Sequence, residues 1–129
     1  YAAEIAAKWI TDEDIEKLDK QFALLSSLDN KWEVKEKCIY ETDSILHQMI
    51  WRLCGNKEIY QIIDGYQDEV HRIRQSTLKL ANRAVPSEVE MRKIYQALRN
   101  KDPLAAREAM YEHILNLMIA VEGVLAEEK

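Results

Sequence analysis

From Ile15 to Val124 apolar residues return at every third or fourth position, and three polar side chains, Asp43, His47 and His113, fall inside those stripes. That period is the signature of helices with one face turned to a core. Around Asp43 the residues in register are Ile39, Leu46, Ile50 and Cys54; around His113 they are Ala106, Met110, Leu117, Val121 and Val124. A carboxylate buried without a partner costs roughly several kcal/mol and a neutral polar group about 1 to 3 kcal/mol. An Asp and two imidazoles directed at one core therefore imply a common partner. Asp43-x-x-x-His47 puts two donors on one helical face and His113 brings a third from another helix, a set suited to a divalent metal such as zinc, nickel or manganese. The same residues are also satisfied without a metal, by an Asp43–His47 hydrogen bond within one turn and a hydroxyl or water on His113.

The remaining composition narrows the fold. With 47% hydrophobic residues in 129, the chain has material for one core. Only 3 Gly and 2 Pro occur, and the prevalence of Ala, Leu, Ile, Glu and Lys favours an all-α chain. A formal charge of -5 with no continuous basic stripe makes the chain a poor ligand for nucleic acid by itself. Cys38 and Cys54 share one predicted helix and lie roughly 24 Å apart along it, too far to pair. With no CxxC, signal peptide or long apolar run, the expected setting is the reducing cytoplasm, away from membranes.

Along the chain, Tyr1 opens directly into Ala2, Ala3, Ile5, Ala6 and Trp9 with no cap before them, so the first helix is expected to be truncated. Thr11 and Asp14 have capping-box spacing ahead of Ile15, Leu18, Phe22 and Leu25, and a break follows at 26–30. A third helix is predicted over about 32–54, ended by Gly55-Asn56, in which Asn56 acts as a cap residue. A fourth is predicted over about 57–81 on the stripe Ile59, Ile62, Ile63, Tyr66, Val70 and Ile73, with His71 beside the stripe, interfacial or exposed. After a loop at 82–86, Ser87 and Glu90 have the spacing of a second capping box, leading into Met91, Ile94, Tyr95 and Leu98. Asp102 then caps a last helix with Pro103 at its first position, running to about 127. The expectation is one domain over 1–129, an antiparallel bundle of about six helices. Trp9, Trp32 and Trp51 are expected in packing or on a dimer surface.

Ala2-Ala3-x-Ile5-Ala6-Ala7 with Thr11, the run Asp43-Ser44-Ile45-Leu46-His47 followed by Gly55-Asn56, and Glu90, Ile94, Ala97, Asp102, Ala105 and His113 form a specific combination. It resembles the FCD class of C-terminal domains in the GntR family of bacterial transcription regulators. The resemblance implies an all-helical sensor of a small-molecule effector, working as a homodimer behind a winged helix-turn-helix domain that this chain lacks, with DNA bound only through that other domain. It also implies metal ligands at Asp43, His47, position 91 and His113. Position 91 departs from the pattern: Met91 stands where the family has a histidine, 22 residues before His113, and a thioether is a weak substitute for imidazole. The site is then either a three-ligand one completed by water and effector, or one that senses its ligand without metal.

The expected activity is therefore binding and not catalysis, with a small organic acid as effector. Its carboxylate completes the coordination of the metal or bonds the imidazoles directly. Arg74 is a candidate clamp for that carboxylate; Met91 and Tyr95 are further candidates for effector contact. Two other classes fit parts of the sequence. A structural dimerisation module would use the buried polar residues for specificity alone. A di-iron bundle enzyme would need two Glu-x-x-His motifs, and Asp68-Glu69-Val70-His71 is only a near miss.

Overall fold

In a computed structural model the described residues are 1–65, 68, 69, 72, 76, 79 and 82–127. They form α1 (Ala2–Trp9), α2 (Asp12–Ser27), α3 (Trp32–Leu53), α4 (Lys57–Gly65), α5 (Ala84–Arg99) and α6 (Pro103–Glu127), with no strand among them. The predicted continuation of the fourth helix, with Tyr66, Val70, His71, Ile73 and Arg74, lies outside the described residues, and among the described elements α4 packs on α3.

Local chemistry sets most of the boundaries. The Thr11 hydroxyl accepts from the Asp14 N–H at 3.1 Å, and the Asp14 carboxylate accepts from the Thr11 N–H at 3.3 Å, closing the predicted capping box of α2. Beyond α3, Gly55 takes φ 81°, a left-handed turn that a side chain would disfavour. Lys101 takes φ 52° after α5; its N–H and that of Asp102 return to the carbonyls of Leu98 and Ala97, both at 3.0 Å. Asp102 in turn accepts from the Ala105 N–H at 3.1 Å and starts α6, with Pro103 first in the helix.

The second capping box does not form. α5 begins at Ala84, so Ser87 and Glu90 lie inside the helix with their side chains buried. Pro86 allows this because it falls in the first turn, where N–H groups have no helical partner to lose. The Ser-x-x-Glu spacing that looked like a boundary is an inward polar stripe.

The core is drawn from every long helix: Leu18, Phe22 and Leu25 on α2, Ile39, Leu46 and Ile50 on α3, Met91, Ile94 and Leu98 on α5, Ala106 and Met110 on α6. Ala3, Ala6 and Ala7 give α1 a smooth buried face, and that helix fits against α3 and α6. Phe22 stacks on Tyr95 with centroids 4.3 Å apart, tying α2 to α5. On α6 the predicted stripe is buried through Ala106, Met110 and His113, whereas Leu117 and Val121 beyond it are half-buried. Trp9 and Trp32 are exposed and Trp51 is half-buried. Both cysteines are free. Among the described residues no helix is long and apolar enough to cross a membrane.

Two predictions follow from this packing. Ile94→Ala, at a fully buried position, is expected to cost about 2 to 5 kcal/mol in denaturant unfolding. Asp14 is buried, which alone would raise its pKa, but hydrogen bonds from Thr11 and Arg52, the latter at 2.6 Å, outweigh burial and hold it below its ordinary 3.8. A depressed carboxylate pKa stabilises the fold above the unfolded value and ceases to do so as pH falls through the folded one. Arg52→Met is therefore expected to be less stable than wild type at neutral pH, with the gap narrowing below about pH 4; a gap that stays constant into acid would contradict the assignment.

Candidate metal centre in the bundle interior

α3 presents Asp43 and His47 one turn apart, and the buried Ile39, Leu46 and Ile50 keep that face against the core. The His47 Nε2 lies 3.2 Å from Asp43 Oδ1. From α6, His113 brings its Nε2 to 3.8 Å from the same oxygen, with the two imidazole rings 5.9 Å apart and inclined by 34°. One donor atom from each of the three residues thus lies within 4.8 Å of the others. For bond lengths of about 2.1 Å, neighbouring ligand atoms sit roughly 3.0 to 3.4 Å apart in octahedral or tetrahedral geometry. The α3 pair already has that spacing; His113 must approach Asp43 by a few tenths of an ångström and must also close on His47, the three atoms lying within 4.8 Å of one another. The nitrogen and oxygen donors suit zinc, nickel or manganese.

On its other side, His113 meets Glu90 of α5: Nδ1 is 2.7 Å from Glu90 Oε1. The same oxygen accepts from Arg83 Nη2, and Oε2 accepts from Asn116 Nδ2 at 2.9 Å. Burial alone would raise the Glu90 pKa, but bonds from Arg83, Asn116 and His113 prevail and hold it below the usual carboxylate value, so Glu90 is an anion at neutral pH. Burial pushes His113 down, and hydrogen bonding to Asp43 and Glu90 overrides it, giving a net upward shift. Arg83 Nε and Ser87 Oγ are buried with no hydrogen-bond partner among the described residues.

Of the residues expected at the site, Asp43, His47 and His113 come together. Met91 is fully buried on α5, next to Glu90. Tyr95 is engaged by α2: its hydroxyl donates to Asp19 and its ring stacks on Phe22. Arg74 lies outside the described residues. Sequence reasoning missed Arg83, Ser87 and Asn116, and it assigned Glu90 to a cap. The signal was available in the register Arg83, Ser87, Glu90, Ile94, which continues an apolar stripe with polar residues as Asp43 does on α3. A groove of about 600 Å³, lined by Tyr1, Trp51, Cys54 and Asn56 among others, touches none of the three donors. It is not where the ionisable chemistry lies.

The FCD domain model matches residues 1–116, a span that contains all three donors and Glu90. No curated protein matches the chain. The all-helical fold, the inward Asp and His residues and this match agree: the chain belongs to the FCD domain family, the class of effector-binding regulatory domains found in GntR-type regulators.

Proposed function

We propose that this chain senses a small organic acid in the bundle interior, beside a divalent cation held by Asp43, His47 and His113, and that it dimerises as part of a GntR-type transcription regulator. The observation that carries the reading is the convergence of those three donors from α3 and α6 in the bundle interior. A bound cation supplies a Lewis-acidic anchor for a carboxylate oxygen.

The buried charges favour an acid. Around the site, Asp43 and Glu90 are opposed by Arg83; with a divalent ion and neutral imidazoles these groups carry one excess positive charge, which one carboxylate neutralises. Arg83 Nε and Ser87 Oγ offer polar groups with no partner among the described residues. We propose Arg74 as a carboxylate clamp and Met91 as a wall of the ligand space; Tyr95 joins them only by releasing Asp19. An effector held between Asp43 and His113 ties α3 to α6. If it fits one packing of the helices better than another, it shifts the placement of the DNA-binding domains that the regulator carries elsewhere. No catalytic step belongs to this reading.

Met91 favours a second reading. Without a fourth imidazole, the effector bonds Asp43, His47 and His113 directly and no metal takes part.

Elemental analysis of protein purified without affinity metals or chelators separates the two. The first reading expects near-stoichiometric metal in wild type and its loss in His47→Ala. No metal in wild type but uptake by Met91→His supports the second. An acid at a hundred times its Kd should add about 2.7 kcal/mol of stability; an unchanged melting temperature across dicarboxylates and sugar acids, with and without added metals, would count against both. Light scattering at micromolar concentration should give the mass of a dimer, and a monomer would contradict the dimerisation proposed.

A further inference from the structure

Glu90 contributes no atom to the three-donor set, yet it is a buried carboxylate engaged at both oxygens. It is 6% exposed, its oxygens take bonds from Arg83, Asn116 and His113, and Arg83 and His113 are themselves 5% and 2% exposed. We infer that Glu90, clamped by Arg83 and Asn116, is the positioning residue that makes His113 present Nε2 to the metal site. The inference rests on the metal-binding reading above and assigns to Glu90 a role in that site.

An imidazole has two ring nitrogens, and the one whose proton is claimed elsewhere leaves the other to bind an ion. Glu90 Oε1, 2.7 Å from Nδ1, accepts the Nδ1 proton and leaves Nε2 directed at Asp43 Oδ1. A single such bond would leave the carboxylate free to rotate. Here it is held at both oxygens. Asn116, one turn beyond His113 on α6, occupies Oε2, and Arg83, two turns before Glu90 at the start of α5, shares Oε1. The clamp therefore bridges α5 and α6, with little water able to compete for Glu90, Arg83 or His113. With Met91 in place of a fourth imidazole, each of the three remaining donors carries a larger share of the binding, and the orientation of His113 has no substitute.

The test is zinc affinity, read by competition against a chromophoric chelator, for wild type, Glu90→Gln and Asn116→Ala, together with nitrogen NMR of His113 in the zinc-loaded wild type. Glu90→Gln keeps the size of the side chain and removes its charge. It is expected to weaken zinc binding by roughly 10- to 100-fold, the effect seen when a partner of a metal-bound imidazole is lost; Asn116→Ala should weaken it less. In wild type, His113 should carry its proton on Nδ1 and bind through Nε2. Zinc affinity unchanged in both folded variants, or ligation through Nδ1, would overturn the positioning role and leave the metal site standing. Wild type that takes up no zinc, nickel or manganese would overturn the metal-binding reading itself and this role with it. Should Glu90→Gln fail to fold, Asn116→Ala and the wild-type spectrum decide the matter.

Discussion

A line of polar groups runs through the apolar interior from Asp43 on α3, through His113 on α6 and Glu90 on α5, to Arg83. The arrangement of these three helices depends on it. Leu, Ile and Met side chains pack in several registers at modest cost, but a charge-assisted bond of 2.7 Å does not survive a shift of one residue, which moves a helical side chain by about 1.5 Å along the axis and 100° around it. The bond between His113 and Glu90 thus selects one register for α6 on α5. The approach of His113 to Asp43 selects its orientation on α3. Breaking a buried charged pair by removing one partner commonly costs about 3 to 5 kcal/mol, so the polar line penalises alternative packings that the apolar core would tolerate.

The simpler parts of the fold serve that arrangement. α1 buries only small side chains, Ala3, Ala6 and Ala7, against α3 and α6, so it sits closely on both of the helices from which Asp43 and His113 project. The turn at Lys101 and Asp102 reverses the chain between α5 and α6 with few residues. Glu90 in the middle of the descending helix is thereby brought opposite His113 in the middle of the returning one. A short connection and an antiparallel pair are enough to join residues 23 positions apart in the chain.

The bundle was legible in the sequence because its signals are local: apolar spacing for the faces, Thr11 with Asp14 for one start, Gly55 for one stop, Asp102-Pro103 for another start. The donors were legible for the same reason, since Asp43, His47 and His113 each break a stripe that otherwise reads as core. Glu90 was misread because a local pattern and a tertiary one coincide. Ser-x-x-Glu after a proline has the spacing of a cap, and only the position of α6 reveals that Glu90 has a partner inside. Lys101 was hidden as well: a lysine at positive φ leaves no compositional mark, unlike Gly55. Tyr95 shows the converse problem, because an aromatic residue on a helix facing two neighbours carries no label for which neighbour it meets.

The same polar line gives a physical route by which a ligand in the interior affects distant parts of the molecule. A site built within one helix would respond to its ligand without moving anything else. Asp43 and His47 belong to α3, while His113 is held from behind by α5 through Glu90, so a ligand that draws His113 toward Asp43 pulls against a clamp anchored by Arg83 at the very start of α5. The 3.8 Å approach of His113 to Asp43 is looser than the 3.2 Å spacing of the α3 pair, and α6 carries it. Closing that gap requires either rotation of the His113 ring away from Glu90 or movement of α6 and α5 together. Glu90 is bound at both oxygens, which resists the first. The second is the motion that can be transmitted, because α5 and α6 form the most extensive helix contact in the described structure and move most readily as a unit.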